Sequence, residues 1–228
     1  MLTFTAFRLK KLNQKMRYSD YSEMVRIAYD NSAKKYHTNF KNEMEEKEFD
    51  RLFLDNFSNL LPKHSLICDA GCGPSGHIGK YLFDKGHNIK GIDISPKCIQ
   101  IARENNPELD FEVMNMTNMN FASNSFDAII SFYSIMYTPK KYLDLIISEF
   151  HRVLKPNGVV LIVVKKGYLD TIENNYWDEG NPVHYCLFQE DEMNKLLLMN
   201  KFKSVTTQTR LPYDFEFNVD RIYTTGIK

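Results

Sequence analysis

The spacing of apolar positions changes near residue 62, and this change separates a helical beginning from an alternating middle. Residues 20–61 repeat apolar side chains every three or four positions until Pro62, which predicts helices at this end of the chain. From residue 64 to residue 165, short apolar runs that suit buried strands alternate with segments of helical spacing. This alternation predicts an α/β fold, with a mostly parallel sheet sandwiched between helices.

Five strands and three helices are predicted in this alternating middle. The last of the helices is expected to end at the turn KPNG, residues 155–158, and Pro96 lies in the first turn of another, where its missing N–H costs nothing. The predicted strands are SLICDA, NIKGIDIS, LDFEVMNM, FDAIISFYS and VVLIVVKK, and the predicted helices are GHIGKYLFDKG, PKCIQIARENN and KKYLDLIISEFHRVL.

The pattern changes again after residue 165. Residues 167–188 are aromatic and acidic without a regular period, so we expect an irregular segment there. Residues 189–200 have the spacing of a helix. Residues 202–217 and 220–228 are predicted to form an antiparallel pair of strands at the end of the chain.

The composition bounds the partners of the chain. Its 228 residues are consistent with a single α/β domain. The 29 Lys and Arg balance 29 Asp and Glu, so there is no overall attraction for nucleic acid or an anionic membrane. No apolar run approaches the ~20 residues that a membrane span requires. We expect a monomer or homodimer whose partner is a small molecule, with no nucleic acid and no membrane.

The cysteine pattern indicates buried free thiols. Cys68, Cys72, Cys98 and Cys186 form no C-x-x-C pair and are too sparse for a disulfide framework in a chain of this length. Cys68 and Cys72 flank the end of a strand, and no second pair completes a zinc spacing. We therefore expect no metal and a cytoplasmic location.

A glycine-rich loop is the strongest candidate for a binding site. The stretch LICDAGCGPSG, residues 66–76, ends a predicted strand, and its Gly71, Gly73 and Gly76 have the spacing G-x-G-x-x-G of a nucleotide loop. Asp93 ends the next predicted strand about 20 residues later, as a ribose-binding acid does. This context favours a nucleoside ligand over a plain strand-to-helix turn.

Asp69 bears on which nucleoside binds. A carboxylate two residues before the first glycine would repel the pyrophosphate that NAD places at a helix N-terminus. The same carboxylate would favour a ligand that carries an ammonium and a sulfonium. The acid therefore favours S-adenosylmethionine over NAD.

Four motifs in order then resemble those of the class I S-adenosylmethionine-dependent methyltransferases. They are DAGCGPSG, GIDIS, FASNSFDAIISFYSIMY and EFHRVLKPNGVVLIVV, and the resemblance covers about residues 20–165. It implies a Rossmann-like, doubly wound, mostly parallel sheet of seven strands with an antiparallel C-terminal hairpin and helices on both faces.

Residues 1–19 contain five basic side chains and no acid, and we expect them to form a mobile, solvated arm. The resemblance implies one methyltransferase domain at residues 20–228 after this arm. Within that domain we expect a helical lid at 20–61, a cofactor-binding core at 64–165, and an acceptor-side insertion with the last strands at 166–228.

The cofactor contacts follow from the motifs one residue at a time. The resemblance implies that Asp93 accepts hydrogen bonds from the ribose hydroxyls, that Asn115 bonds the adenine amine, and that Tyr36 covers the cofactor. The bare backbone of the glycines would let the ligand approach closely. The full set of implied cofactor contacts is Asp69, Gly71, Cys72, Gly73, Asp93, Ile94, Asn115, Met116, Ser131, Phe132 and Tyr36.

The expected reaction is the transfer of a methyl group to an oxygen or nitrogen of a small molecule by in-line displacement, in which the protein chiefly aligns the acceptor and excludes water. Tyr133, Tyr137 and His184 are the candidate catalytic residues, and a histidine can act as a base near neutral pH. Acids of the segment 167–188 favour an amine as the acceptor, whereas Arg210 and Arg221, near the final strands on the acceptor side, favour a carboxylate, and the sequence leaves both open. The alternative function is an inactive binding module or partner subunit.

Overall fold

The computed structural model describes residues 16–175 and 178–228, although not the side chains of residues 175, 178 and 179. Most of the predicted arm, residues 1–15, lies outside the described residues. The helical beginning is confirmed, and it contains three helices that end just before Pro62. These are α1 (Tyr18–Phe40), α2 (Glu43–Glu46) and α3 (Glu48–Leu60).

The sheet has the predicted seven strands in the order β3-β2-β1-β4-β5-β9-β8. Strands β1 to β5 run parallel, and β9 lies antiparallel between β5 and β8, which confirms the predicted C-terminal hairpin. The strands are β1 (Leu66–Ala70), β2 (Asn88–Asp93), β3 (Asp110–Val113), β4 (Phe126–Phe132), β5 (Leu154–Lys165), β8 (Lys203–Arg210) and β9 (Arg221–Ile227).

The remaining helices lie where the spacing predicts them. At the start of one of them, the Ser95 hydroxyl accepts the backbone N–H of Cys98 at 3.0 Å, and Pro96 occupies the first turn. This combination caps the helix and loses no backbone hydrogen bond. The helices are α4 (His77–Asp84), α5 (Pro96–Asn105), α6 (Leu143–Val153) and α7 (Glu190–Met199).

Alternate residues of the central strands supply two separate cores, one on each face of the sheet. In β5, Leu161 and Val163 belong to the core that α3, α4 and α5 cover, whereas Ile162 and Val164 belong to the core that α6 and α7 cover. Strands that are apolar on both faces are required in a sheet that is covered on both sides. The doubly wound arrangement is thereby confirmed.

The expectation of an irregular segment at residues 167–188 is wrong. Strands β6 (Asp170–Asn175) and β7 (Asp178–Cys186) form a second, two-stranded antiparallel sheet, and β7 packs against α1. The buried residues of this second sheet include Ile172 on β6 and Val183 on β7. Polar and acidic residues interrupt the alternation of apolar and polar positions in each strand. The sequence pattern therefore does not predict that these two strands pair.

The turn KPNG interrupts β5 instead of preceding it. Leu154 pairs with Phe126 of β4, and the pairing resumes only at Val159, so residues 155–158 bulge out of the ladder. Asn157 adopts a left-handed conformation there, with φ of 65°. The helix α6 nevertheless ends at Val153, immediately before this bulge, as predicted.

All four cysteines are free and buried, which confirms the expectation from their spacing. None of the helices within residues 16–175 and 178–228 has the length and apolar character needed to cross a membrane.

Candidate active site

The glycine loop lies at the point where the strand order of the sheet reverses. From β1 the chain proceeds outward to β2 and β3, and then returns to β4 on the other side of β1. Ligands of open α/β sheets bind beyond the carboxyl ends of the strands at such a point. Gly71, Gly73 and Gly76 all have left-handed backbones here, with φ of 83°, 62° and 55°.

A cavity, here called the loop cavity, opens at this end of the sheet. Helix α1 contributes to its wall, and the glycine loop and the end of β2 lie opposite. Most of the residues that the sequence singled out are brought together in it. The predicted residues that line the loop cavity are Tyr36, Asp69, Gly71, Cys72, Gly73, Asp93, Ile94, Met116, Phe132, Tyr133 and Tyr137.

The first two glycines of the loop are required for different reasons. A Cβ at Gly71 would lie 2.3 Å from the Cβ of Ser134, so the protein itself requires this glycine. A Cβ at Gly73 would meet nothing within 4 Å in the structure. The left-handed backbone favours glycine at both positions. In addition, Gly71 makes room for Ser134, whereas Gly73 leaves open space beside the loop cavity.

Replacing Gly71 with alanine is expected to lower the free energy of unfolding by about 2 kcal/mol, because strain in the left-handed backbone and the forced contact with Ser134 each cost on the order of 1 kcal/mol. Gly73→Ala is the matched control, since it has a similar φ and open space, and we expect about half that loss. Urea denaturation of the two variants measures the difference. Equal losses would show that the contact with Ser134 costs nothing.

Asp93 ties the glycine loop to the end of β2. Its carboxylate accepts the backbone N–H of Gly73 at 3.0 Å on one oxygen and that of Ser95 at 2.9 Å on the other. Burial raises the pKa of Asp93 to about 6, although these two N–H groups act in the opposite direction. The carboxylate is thus held in place, and it has lone pairs left for a ligand because each oxygen accepts more than one bond.

Asp69 is almost completely buried at the end of β1. One of its oxygens accepts the backbone N–H of Gly79 at 3.1 Å. Burial raises the pKa of Asp69 to about 7, against the opposing influence of His77 and the Gly79 N–H. A carboxyl group with this pKa gains stability in its ionised form when a cation binds beside it.

Helix α1 is fastened over the loop cavity by hydrogen bonds along its length. Asp30 accepts the Ser95 hydroxyl at 2.6 Å and the Lys97 N–H at 3.1 Å, at the start of α5. Further along, the His37 ring lies 3.2 Å from the Ser75 hydroxyl. These bonds hold α1 against the glycine loop and against the residues that follow β2.

Asn115 lies in a narrower cavity that continues from the loop cavity past Ile94. Its side-chain oxygen accepts the Tyr18 hydroxyl at 2.7 Å, and it also accepts the N–H and the hydroxyl of Thr117 at 3.0 and 2.9 Å. Three donors already occupy this oxygen. The expected bond to an adenine amine would therefore replace the Tyr18 hydroxyl.

Ser131 and Phe132 extend β4 beyond the end of β1, whose pairing with β4 stops at Ile130. The Ser131 side chain is fully buried and does not line the loop cavity, because its hydroxyl lies 2.5 Å from that of Ser134. The Ser134 hydroxyl in turn donates to the Ala70 carbonyl at 2.7 Å. Through Ser134, the side chain of Ser131 is thus connected to Ala70, the residue before the glycine loop.

A second and larger cavity, here called the outer cavity, adjoins the loop cavity and has a volume of about 480 Å³. Tyr36, Glu43, Tyr133 and Tyr137 line both cavities and form the boundary between them. Tyr133 adopts a left-handed backbone with φ of 52°, which is unusual for a bulky residue and is typical of functional sites.

Paired charged residues line the outer cavity. Lys47 binds Glu43 at 2.8 Å and Glu216 at 3.0 Å, and Arg221 lies 3.4 Å from Glu216. Burial opposes the ionisation of Glu43, but His77 and Lys47 outweigh it and bring the pKa to about 2. The carboxylates of the cavity are therefore engaged by cations of the protein.

Two of the three boundary tyrosines, Tyr133 and Tyr137, are hydroxyl donors at neutral pH. Burial raises the pKa of Tyr133 to about 12, and it also raises the pKa of Tyr137. Each side chain therefore keeps its proton and can donate a hydrogen bond, whereas neither is suited to remove a proton from a substrate.

His184 is not brought to either cavity. It lies on β7 with its ring against that of Tyr21 of α1, and it is 1% exposed. Its Nε2 lies 2.7 Å from Asp170, which also accepts the thiol of Cys186 at 3.1 Å. The position predicted from the sequence is thus corrected, because the pairing of β6 with β7 turns the ring toward α1. Trp177, another aromatic of this segment, lies outside the described residues.

Sequence reasoning missed Glu43, Lys47, Lys165 and Glu216 as residues of the site. They come from the α2–α3 region, the end of β5 and the loop before β9, and they meet at the outer cavity. Only Lys165 had a usable signal, since it ends a strand whose carboxyl end faces the ligand side of the sheet.

The fold and the loop cavity together define a nucleoside-binding α/β domain of the doubly wound class. Residues 68–162 match the family model of a methyltransferase domain. The chain is 29% identical over 165 residues to a sterol 4-C-methyltransferase of Caenorhabditis elegans, covering 68% of this chain and 47% of that protein. Residues 68–162 therefore match a methyltransferase domain, and this match agrees with the motifs that resemble those of the class I S-adenosylmethionine-dependent methyltransferases.

Two further relatives extend the comparison. A phosphoethanolamine N-methyltransferase of Plasmodium falciparum is 27% identical over 161 residues, which are 67% of this chain and 59% of that protein. The solved structure of a 1,6-didemethyltoxoflavin-N1-methyltransferase from Burkholderia thailandensis superimposes with a TM-score of 0.64 at 16% identity. It covers 93% of this chain and 91% of that one, and it contains bound S-adenosylhomocysteine. The chain spans about half the length of the curated relatives it matches.

Proposed function

We propose that the chain transfers a methyl group from S-adenosylmethionine to an oxygen or nitrogen of a small molecule that binds in the outer cavity. The observation that carries this proposal is the junction of the two cavities at Tyr36, Glu43, Tyr133 and Tyr137. A transfer reaction needs the donor and the acceptor side by side with water excluded, and this boundary offers such a meeting place. The charged lining of the outer cavity favours a polar acceptor.

The residues of the loop cavity fit the cofactor. Asp93 is held by two backbone N–H groups with lone pairs free for ribose hydroxyls, and Gly73 leaves open space where any other residue would place a Cβ. The buried Asp69 carboxyl suits a positively charged methionine portion. Ile94 and Met116 line the path toward the narrower cavity, where an adenine ring would lie.

When bound, the cofactor supplies a methyl group that is activated by a positively charged sulfur. Tyr133 and Tyr137 then orient the acceptor through their hydroxyls and close the site against water, since burial keeps both protonated. Acceptors that already carry a lone pair at neutral pH need no base from the protein.

The affinity for S-adenosylmethionine is expected to rise about tenfold between pH 6 and pH 8 and then to level off, because Asp69 titrates between these values in the free protein and a cation binds its ionised form. Isothermal titration calorimetry across this range measures the effect. Asp69→Asn removes the carboxylate and should weaken binding and flatten the curve. Equal affinity of the variant and the wild type at pH 8 would contradict the charge assignment.

A screen with S-adenosylmethionine carrying a labelled methyl group tests the proposed function. The purified chain is incubated with fractions of small metabolites, and label is expected to enter one of them and to be lost in Asp93→Ala. If S-adenosylhomocysteine binds while no fraction becomes labelled, the chain is a binding module and the proposed transfer is wrong.

A further inference from the structure

Lys165 ends β5 at the wall of the outer cavity without a counter-ion. Among the side chains that the structure describes, no carboxylate lies within 4.0 Å of its ammonium group. The ammonium instead lies near aromatic rings, 4.6 Å from the centroid of Phe217 and 5.8 Å from that of Tyr185. The rings attract the ammonium only weakly, so a negative group beside it would stabilise the charge of a lysine that is partly removed from water.

The sheet places Lys165 in a row of cations. Lys165 pairs with Arg221 across β5 and β9, and Arg221 pairs with Arg210 across β9 and β8. Glu216 lies between the two arginines, 2.6 Å from Arg210 and 3.4 Å from Arg221, and it also binds Lys47. The carboxylate nearest to this row is therefore shared among three other cations.

Three cations and three carboxylates line the outer cavity, but the carboxylates are not available to Lys165. The cations are Lys47, Lys165 and Arg221, and the carboxylates are Glu43, Glu46 and Glu216. Glu43 and Glu216 are bound by Lys47 and Arg221, and the Glu43 carboxylate is also bound by His77 at 2.6 Å. Glu46 is exposed, so water screens its charge.

The titration of Lys165 agrees with the lack of a carboxylate beside it. Burial lowers its pKa to about 8, and Arg221 and Lys47 lower it further against the weaker influence of Glu216 and Glu43. Cations thus outweigh carboxylates at the position of this ammonium, and a bound anion would reverse the balance.

Two buried donors of the same cavity also lack partners. The Tyr133 hydroxyl and the Nε of Arg221 have no hydrogen-bond partner in the part of the chain that the structure describes, and Arg221 is only 2% exposed. An ammonium and a guanidinium can only donate, and a tyrosine hydroxyl at neutral pH donates readily. The group that satisfies such a set is a pure acceptor, which is a carboxylate or a phosphate.

We propose that the methyl acceptor is an organic acid whose carboxylate or phosphate binds Lys165, with Tyr133 and Arg221 as further donors. The inference rests on the proposed function, and it names the substrate class of the outer cavity. Aromatic side chains of the same cavity, Phe215 and Phe217 among them, suit an apolar or aromatic body on the acid. An amine is disfavoured, because Glu43 and Glu216 already bind cations of the protein.

Titration with four matched probes tests the proposal. Benzoate, phenyl phosphate, benzamide and benzylamine are added to the full chain with and without S-adenosylhomocysteine, and binding is followed by NMR chemical shifts. Benzoate or phenyl phosphate is expected to bind roughly 10-fold or more tightly than benzamide, since a hydrogen bond to a charged group contributes that order of affinity. Whichever of these two anions binds more tightly indicates whether the acid group of the acceptor is a carboxylate or a phosphate.

Variants of two adjacent lysines make the test specific. Lys165→Met is expected to weaken binding of the anion roughly 10-fold or more, while Lys165→Arg keeps the charge and most of the affinity. Lys166→Met is the control, because Lys166 is paired with Glu190 at 2.9 Å on the opposite face of the sheet, and it should bind like the wild type.

Several outcomes would overturn the anion site. Tighter binding of benzylamine or benzamide than of both anions would do so, as would absence of anion binding at millimolar concentration, or unchanged binding in Lys165→Met. S-adenosylhomocysteine is titrated separately for this reason. Its failure to bind would overturn the proposed function, whereas benzoate binding that depends on Lys165 would still support the anion site.

Discussion

Replacing Arg210 with methionine is expected to lower the free energy of unfolding by about 3–5 kcal/mol, the cost of leaving buried charges without their partner. The Arg210 guanidinium binds Asp50 at 2.9 Å and Glu216 at 2.6 Å, and all three side chains are at most 6% exposed. Its Nε also donates to the Tyr223 hydroxyl at 3.0 Å, and that hydroxyl donates to Asp50 at 2.7 Å. The variant would retain most of the volume of the side chain but leave the Asp50 carboxylate buried without a cation, whereas Glu216 would keep Lys47 and Arg221.

Urea denaturation of Arg210→Met measures this loss, and Lys195→Met is its control. Lys195 binds Asp191 at 3.0 Å, but both side chains are mostly exposed, so breaking this pair should cost less than about 1 kcal/mol. A loss of similar size in both variants would mean that the buried network does not hold α3 to the last strands. Although the sequence suggested Arg210 for the acceptor side, the structure gives it this structural position.

Asp93→Ala is expected to weaken the binding of S-adenosylhomocysteine by about 1.5–3 kcal/mol, which is the range for losing hydrogen bonds to a charged group. This corresponds to a dissociation constant raised roughly 10- to 150-fold. The substitution also frees the N–H groups of Gly73 and Ser95, so the glycine loop loses its anchor to β2. Calorimetric titration measures the affinity.

Two further variants separate these effects. Asp93→Asn keeps one acceptor oxygen and should fall between the wild type and the alanine variant. Asp110→Ala removes an exposed acid at the start of β3, outside both cavities, and should bind like the wild type. Unchanged affinity in a folded Asp93→Ala protein would contradict the assignment of Asp93 to the ribose.

Periodicity was sufficient to predict the main sheet because each of its strands obeys a local rule. Strand β5 is apolar on both faces and β1 ends in a glycine loop, and such features are visible in a window of a few residues. The pairing of β6 with β7 was missed, because Ile172 and Val183 are separated by acids and the strands gain their order from packing on α1. Local pattern carries little information where the partner strand decides the structure.

The two halves of the site differ in the same way. The loop cavity is built largely from one motif and the acid that follows it, so Asp69, Gly73 and Asp93 could be named from the sequence. The outer cavity depends on side chains that are far apart in the chain, and the bond between Asp50 and Arg210 behind it joins residues 160 positions apart. Glu216 shows no signal in the sequence, since a charge in a loop is ordinarily solvated, and only its position at the end of β5 could have pointed to Lys165.

Helix α1 lines both the loop cavity and the outer cavity. Through Tyr29 and Tyr36 it forms part of the wall of the loop cavity, and through Tyr36 and Phe40 it forms part of the wall of the outer cavity. An outward displacement of α1 would break the bonds from Asp30 to Ser95 and Lys97. It would therefore open the loop cavity and the outer cavity at the same time. Under the proposed function, the exchange of the used cofactor and the release of the methylated product would both depend on this one movement.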